Sequence, residues 1–326
     1  MKLAAIPGQE KAKQILQHAL RSGRVSHAYL FAGPSGTGKL QAALAFAQAL
    51  FCLSGGDDAC GECLECRKFE HGNQPDLHRI VPDGQSVKLG QIQELQREMS
   101  YRTSDSGSRK VYVIEKADSM TLQAANSLLK FLEEPVSPTV AILLATHTGA
   151  VLPTIASRSQ PVPFLPYSTE QMLEQLIAEE HPPVLARAAV HLASGLDGSR
   201  AIIEQIGFAE IRNVVIQLGK ESLSRFTAAL VTIQQRLSKT DLGADSQLLL
   251  SLLVLWFRDM IHYQAGRSDK MVFIDQLEWI SAHAFTKPVS YWVSCMELTL
   301  QTAGMIKANV APQLALEQLM VRLQEG

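Results

Sequence analysis

The chain has 326 residues, a formal net charge of −2 at pH 7 and a hydrophobic fraction of 46%. That length exceeds one compact core and fits two or three domains, and an apolar content this high without a low-complexity tract excludes a disordered protein. A near-neutral chain with no basic stripe or tail also excludes a protein that grips nucleic acid unaided, so any such contact is expected to be weak or shared with partners.

The first residues, MKLAAIPGQEKAKQ, are too polar for a secretory signal. The longest apolar run, Leu248 to Phe257, is broken by Ser251 and is too short to span a membrane, so it reads as a buried helix. The expected compartment is the cytoplasm, with no membrane partner.

In chain order, Ala28 to Ala32 is a short apolar strand that runs into Gly33-Pro34-Ser35-Gly36-Thr37-Gly38-Lys39. A glycine-rich turn between a strand and a helix is a phosphate loop. Its glycines let backbone N–H groups turn toward phosphate oxygens, and the following helix points its N-terminus at the same anion. Lys39 suits the outer phosphates of ATP or ADP. The next position departs from the pattern: Leu40 stands where Ser or Thr would coordinate Mg²⁺. Phosphate binding can survive that change, but metal placement suffers. Leu40 to Phe51 is rich in alanine and leucine and reads as helix.

Four of the five cysteines then cluster as Cys52-x₇-Cys60-x₂-Cys63-x₂-Cys66. In a reducing compartment this spacing suits one tetrahedral Zn²⁺, and four ligands make the site structural rather than catalytic. Cys295 stands alone in a C-terminal helix and is expected in the core.

Leu77 to Val81 and Lys110 to Ile114 are candidate strands by their apolar, β-branched and aromatic content. The second of these ends in Glu115-Lys116-Ala117-Asp118. A hydrolysing enzyme usually ends this strand in Asp-Glu, for metal and for water activation. Glu115 can partly stand in for the Asp, but Lys116 is no general base at neutral pH. Asp118 is offset and is expected to cap the next helix. Loss or severe weakening of hydrolysis follows from the two departures together. Thr121 to Glu134 is helical, with Thr121 as N-cap, Pro135 as stop, and Leu122, Ala125, Leu129 and Leu132 on one face.

Val140 to Ala145 is a continuous apolar run, as expected of a strand buried on both faces. Ser157-Arg158-Ser159 follows on a loop, where Arg158 suits either a neighbouring subunit's nucleotide or a surface salt bridge. Val162 to Leu165 is the last candidate strand. Short helices fill residues 168 to 207, and among them Arg200 either reaches back to a phosphate or starts a solvated helix. Longer amphipathic helices follow at Val214 to Leu237, Ser246 to Gln264, Ile274 to Phe285, Val289 to Ile306 and Pro312 to Gln324. The strand–helix alternation predicts a parallel α/β sheet, followed by an all-α half.

Several segments together resemble one family. These are Gly8-Gln9, His27-Ala28-Tyr29-Leu30-Phe31, the inserted four-cysteine module, Asn126 to Pro135 (NSLLKFLEEP) and Ser157-Arg158-Ser159. They are similar to bacterial clamp-loader AAA+ subunits over about the first 205 residues. The resemblance implies an AAA+ domain at 1–167 with the zinc module at 52–66, a helical lid at 168–207 and a helical collar at 208–326. It implies a place in a five-membered ring with tau/gamma motor subunits and a delta subunit, which opens a sliding clamp and closes it on primed DNA. It makes Arg158 a trans-acting arginine finger. Leu40, Glu115 and Lys116 set the chain apart from the motor branch, whose phosphate loop and Asp-Glu pair are intact. Ser159 replaces the cysteine usual in the family. An active ATPase of the same fold and a zinc-containing scaffold without a nucleotide role are the alternatives.

Overall fold

The computed structural model describes residues 2–100, 109–133, 138–224, 226–237 and 245–325. The chain divides into two compact units, Met1–Gln171 and Met172–Gly326.

The first unit is built on a five-stranded parallel sheet: β1 Ala28–Ala32, β2 Leu77–Ile80, β3 Lys110–Ile114, β4 Thr139–Ala145 and β5 Gln160–Pro163, in the order β2-β3-β4-β1-β5. Among the described residues six α-helices accompany it: α1 Glu10–Ser22, α2 Lys39–Phe51, α3 Leu64–Glu70, α4 Leu89–Ser100, α5 Leu122–Glu133 and α6 Pro153–Ala156. Every residue of β1 and β3 is buried, as parallel strands with helices on both faces require. Side chains alternate between two cores. Tyr29, Phe31, Val111, Val113 and Ile142 face one core with α1 and α2. Leu30, Tyr112, Ile114, Ala141 and Leu143 face the other with α4, α5 and Ile155 of α6. The parallel sheet is the one expected from the alternation of strands and helices. It brings the loops after β1, β3 and β4 to one carboxyl edge, where open α/β sheets bind ligands.

Helix α5 differs from the expected face. Leu122 is 66% exposed, while Ala124, Ala125, Leu128, Phe131 and Leu132 are buried. Phe131 packs on Tyr112, with ring centroids 5.5 Å apart, and Leu129 lies partly buried against the same core. The expected N-cap is present, since Ala124 N donates to Thr121 Oγ1 at 3.2 Å. Pro135, the expected stop, lies outside the described residues.

Helix α7 Thr169–Ala178 crosses the boundary between the units. The second unit continues with α8 Pro183–Leu192, α9 Gly195–Glu204, α10 Phe208–Ser224, α11 Phe226–Leu237, α12 Ser246–Gln264, α13 Leu277–His283, α14 Val289–Lys307 and α15 Pro312–Glu325. The single helix expected over Val214 to Leu237 is two, α10 and α11, packed against each other. Gln217 Nε2 reaches Thr232 Oγ1 at 3.0 Å, which shows the chain has doubled back. No Gly or Pro marks the break, and the apolar period runs on through it. The apolar run 248–257 lies in α12 and is largely buried, as is Cys295. Ala188 and Ala189 of α8 belong to the same core as α10, α12, α14 and α15. Residues on both sides of the expected 207/208 border therefore share one core.

Within that core Asp259 is fully buried. Its Oδ2 accepts the N–H groups of Val272 and Phe273 at 2.8 and 2.7 Å, closing the loop that follows α12. Burial raises its carboxyl to about 6 against those hydrogen bonds. The folded state thus holds this proton more tightly than the unfolded state. The stability it contributes is present below pH 3.8 and is lost as pH rises through about 6. Asp259→Ala strands two buried donors and is expected to lower stability by about 2–4 kcal/mol. Asp259→Asn keeps an acceptor and is expected to lose less. Urea unfolding of both variants, followed by tryptophan fluorescence, checks this.

Candidate nucleotide and metal sites

The phosphate loop joins β1 to α2. Gly36 and Gly38 adopt φ of 74° and 77°, the left-handed region in which glycine is unstrained. Gly33 is required for space: a Cβ there would lie 2.2 Å from the Phe164 carbonyl oxygen. Thr37 is buried and its hydroxyl donates to Pro34 O at 2.9 Å. Lys39 Nζ donates to the carbonyls of Gly33 and Pro34 at 2.5 Å each. Burial lowers the Lys39 pKa, and the charge of Asp118 opposes that shift. Ser35 lies on the turn between Pro34 and Gly36. The loop thus has the left-handed glycines and the lysine of a phosphate loop, with Lys39 held on the loop's own carbonyls.

The residues that would hold Mg²⁺ do not fit the metal. Leu40 packs its side chain against the apolar core between α1, α2 and the sheet. Glu115, just past β3, is ion-paired with Arg79 at the end of β2. Asp118 does not cap the next helix as expected. Its Oδ2 accepts Thr146 N at 3.1 Å and Thr146 Oγ1 at 2.6 Å, tying the segment after β3 to the end of β4. Lys116 sits at φ 47° in the turn between them. The Arg79–Glu115 pair was not legible in the sequence, because nothing local marks β2 as the neighbour of β3.

A cavity of about 480 Å³ lies beside Gly8, Gln9, Pro163, Leu165, Pro166 and Tyr167. Gln9, with φ 57°, clamps the cavity wall with both ends of its amide: Nε2 donates to Leu165 O at 2.7 Å and Oε1 accepts Leu165 N at 3.0 Å. Tyr167 touches both motifs. A Cβ on Gly8 would lie 3.2 Å from its ring and one on Gly38 2.9 Å from its hydroxyl. In the sequence Gly8-Gln9 carries only the family resemblance, and nothing local marks its pairing with Leu165.

The four cysteine sulfurs of Cys52, Cys60, Cys63 and Cys66 all lie within 4.8 Å of one another. A tetrahedral Zn–S₄ site has S···S edges of about 3.8 Å from a Zn–S distance of about 2.3 Å, and Cys60 and Cys66 stand 3.9 Å apart. Backbone N–H groups already point at the sulfurs: Cys60 N at Cys52, Glu62 N and Cys63 N at Cys60, and Cys66 N at Cys63, all at 3.3–3.4 Å. A hydrogen bond from Ser54, then those from the backbone, lower the Cys60 thiol to about 6, while burial raises Cys66 to about 12. This donor set fits a thiophilic ion.

Arg158 follows the single turn α6. Its Nη2 pairs with Glu133 Oε1 at 2.7 Å, and its Nη1 donates to Thr154 O at 3.1 Å. Ser159 is buried and donates to Ile155 O at 2.9 Å, so the hydroxyl has a structural task of its own. Arg200 lies within α9 rather than at a helix start. One edge of its guanidinium, Nε and Nη2, donates to the two oxygens of Glu179 at 2.8 and 2.7 Å, and Nη1 donates to Asp197 at 2.8 Å.

Residues 8–168 match the family described as DNA polymerase III, delta subunit. The chain is 37% identical over 319 residues to DNA polymerase III subunit delta′ of Bacillus subtilis (strain 168), covering 98% of this chain and 97% of that one. It is 29% identical to the delta′ subunit of Pseudomonas aeruginosa, with 91% of each covered. The tau subunit of Bacillus subtilis is 30% identical, over 80% of this chain and 50% of tau.

Metal analysis of protein purified without chelator is expected to show about one zinc per chain. Cys60→Ser is expected to lose hydrogen-exchange protection within 2–171 while residues 172–325 keep theirs. Arg200→Ala removes the partner that holds the Glu179 carboxyl down at about 2. That stabilisation exists above the unfolded pKa near 4.5 and disappears as pH falls toward 2. The variant should therefore unfold earlier than wild type at pH 7 and converge with it at pH 2–3, as read by urea midpoints.

Proposed function

The chain belongs to the delta′ subunit family of the DNA polymerase III clamp loader, and we propose from that premise that it hydrolyses little or no ATP itself while Arg158 serves a neighbouring motor subunit. The observation that carries this reading is the dismantled metal set. Leu40 packs half-buried against the core and Glu115 is tied to Arg79, whereas Arg158 keeps its side chain 40% exposed. An arginine fork suits charge developing on a transferred phosphoryl group.

The phosphate loop, from Gly33 to Lys39, holds ATP or ADP passively in this reading, and the cysteines hold structural Zn²⁺. For Arg200 to reach that nucleotide it would first have to leave Glu179. The partners are tau/gamma and delta subunits in a five-membered ring, with the sliding clamp and primer–template DNA engaged through the assembly. Residues 168–207 act as lid and 208–326 as collar. Val289, Val293 and Leu300 support the collar role. They are 41–58% exposed along one face of α14, an apolar stripe suited to a partner helix. No described helix is long and apolar enough to cross a membrane. The working place proposed is the replisome in the cytoplasm, at the nucleoid.

The isolated chain is expected to show no ATP turnover above background, and substantial turnover would make it a motor. In a loader reconstituted with motor and delta subunits, Arg158→Ala should slow the site it serves by about 10³–10⁵. Total loader ATPase should fall by that site's share. Unchanged loader ATPase would remove the finger role, and absent nucleotide binding with silent Lys39→Ala would favour a scaffold.

A further inference from the structure

Two of the segments that carry the family resemblance, NSLLKFLEEP at 126–135 and Ser157-Arg158-Ser159, are separate in the sequence. The fold brings the two together. Glu133, the last residue of α5, meets Arg158 through Oε1 and Nη2 at 2.7 Å.

The base of Arg158 is firmly set. Ser157, Arg158 and Ser159 donate their backbone N–H groups to Pro153, Ile155 and Ala156. Ile155 is fully buried in the same core as Leu128 and Leu132 of α5, and α6 packs against α5. The side chain is then caught at its far end by two acceptors, Glu133 and Thr154 O. A guanidinium has five N–H donors, and these contacts engage one edge of it. The pair is an unpromising stabiliser, since the two side chains are 40% and 48% exposed and exposed ion pairs contribute little to stability.

We infer that Glu133 is the positioning residue of Arg158, holding Nη2 of the guanidinium beside the Thr154 carbonyl's hold on Nη1, so that the remaining donors are presented to the phosphate of nucleotide bound by the adjacent subunit. This rests on the finger reading above. An unrestrained arginine samples many rotamers, and a planar fork loses less when it is pre-organised. Glu133 also offsets part of the charge that Arg158 offers a phosphate. The two effects predict opposite signs: lost positioning lowers turnover, and relieved neutralisation raises it.

The test uses the whole loader with clamp and primed DNA, reconstituted with wild type, Arg158→Ala, Glu133→Ala, Glu133→Gln and the double variant. Glu133→Ala should lower kcat at the served site roughly three- to tenfold, as loss of a pre-organised contact does, with KM for ATP unchanged. Glu133→Gln, which keeps an accepting oxygen, should lose less. The double variant should match Arg158→Ala alone, because the carboxylate acts only through the arginine. An unchanged or raised kcat in Glu133→Ala, or additive losses in the double variant, would overturn the inference while Arg158→Ala remains impaired. A silent Arg158→Ala would instead overturn the finger reading beneath it.

Discussion

The end of β1 is gripped from both sides, and the geometry of the phosphate loop depends on that grip. Gly33 N donates to Ala145 O of β4 at 3.2 Å, and Phe164 N beyond β5 donates to Ala32 O at 2.7 Å. Phe164 then lies so close to Gly33 that a side chain there has no room. Three strands thus converge on one glycine and set the direction in which the chain leaves the sheet. Lys39 starts α2 from that fixed point, and the turns after β3 and β4 stand at the same edge. A parallel sheet makes this edge by construction. Its strands all end there, and the loops between them carry whatever polar groups the sequence supplies.

At this edge Glu115, Asp118 and Lys39 have each been drawn into a contact within the chain. Glu115 answers Arg79, Asp118 answers Thr146, and Lys39 answers the carbonyls of its own loop. The first two contacts span neighbouring strand ends, from β2 to the end of β3 and from the turn after β3 to β4. They fasten the edge of the sheet together. Residues placed where metal chemistry would occur in an ATPase of this fold thereby have a structural role, joining the ends of β2, β3 and β4. Leu40 completes the change by adding apolar contact to the core instead of a hydroxyl.

What was legible in the sequence was local. The strand–loop–helix from Ala28 to Phe51, the apolar strands and most of the C-terminal helices declare themselves through composition and period over a few residues. The cysteine cluster was legible for the same reason, since its ligands span fifteen positions. Pairings fixed by strand order or helix packing left no such trace. Arg79 and Glu115 are 36 residues apart, and Arg200 and Glu179 are 21 apart. Nothing at either site announces its partner. The break between α10 and α11 was hidden because an apolar period continues through it, so only tertiary packing shows the chain turning. The rotated face of α5 has a related cause. Several apolar stripes fit TLQAANSLLKFLEE, and the sheet selects the one that seats Leu128 and Phe131.

The cysteine module stands at the opposite end of α2 from the phosphate loop. The helix has 13 residues, about 20 Å at the usual rise. Cys52 is its C-cap, and Gln48 one turn earlier reaches Cys66 O and Glu70. Between Cys52 and Cys60, the Asp58 carboxylate accepts the N–H groups of Leu3 and Ala4 at 2.9 and 3.0 Å. The module therefore joins the beginning of the chain, the end of α2 and the start of α3. A bound structural metal adds its binding free energy to folding, on the order of 10 kcal/mol, and here it would act on the helix that carries Lys39 and Leu40. An ATPase that cycles can rely on nucleotide to order its loop. In this chain α2 is secured at the far end by the cysteine module and at its flank by Leu3, so the start of the helix that carries Lys39 is held from within the chain.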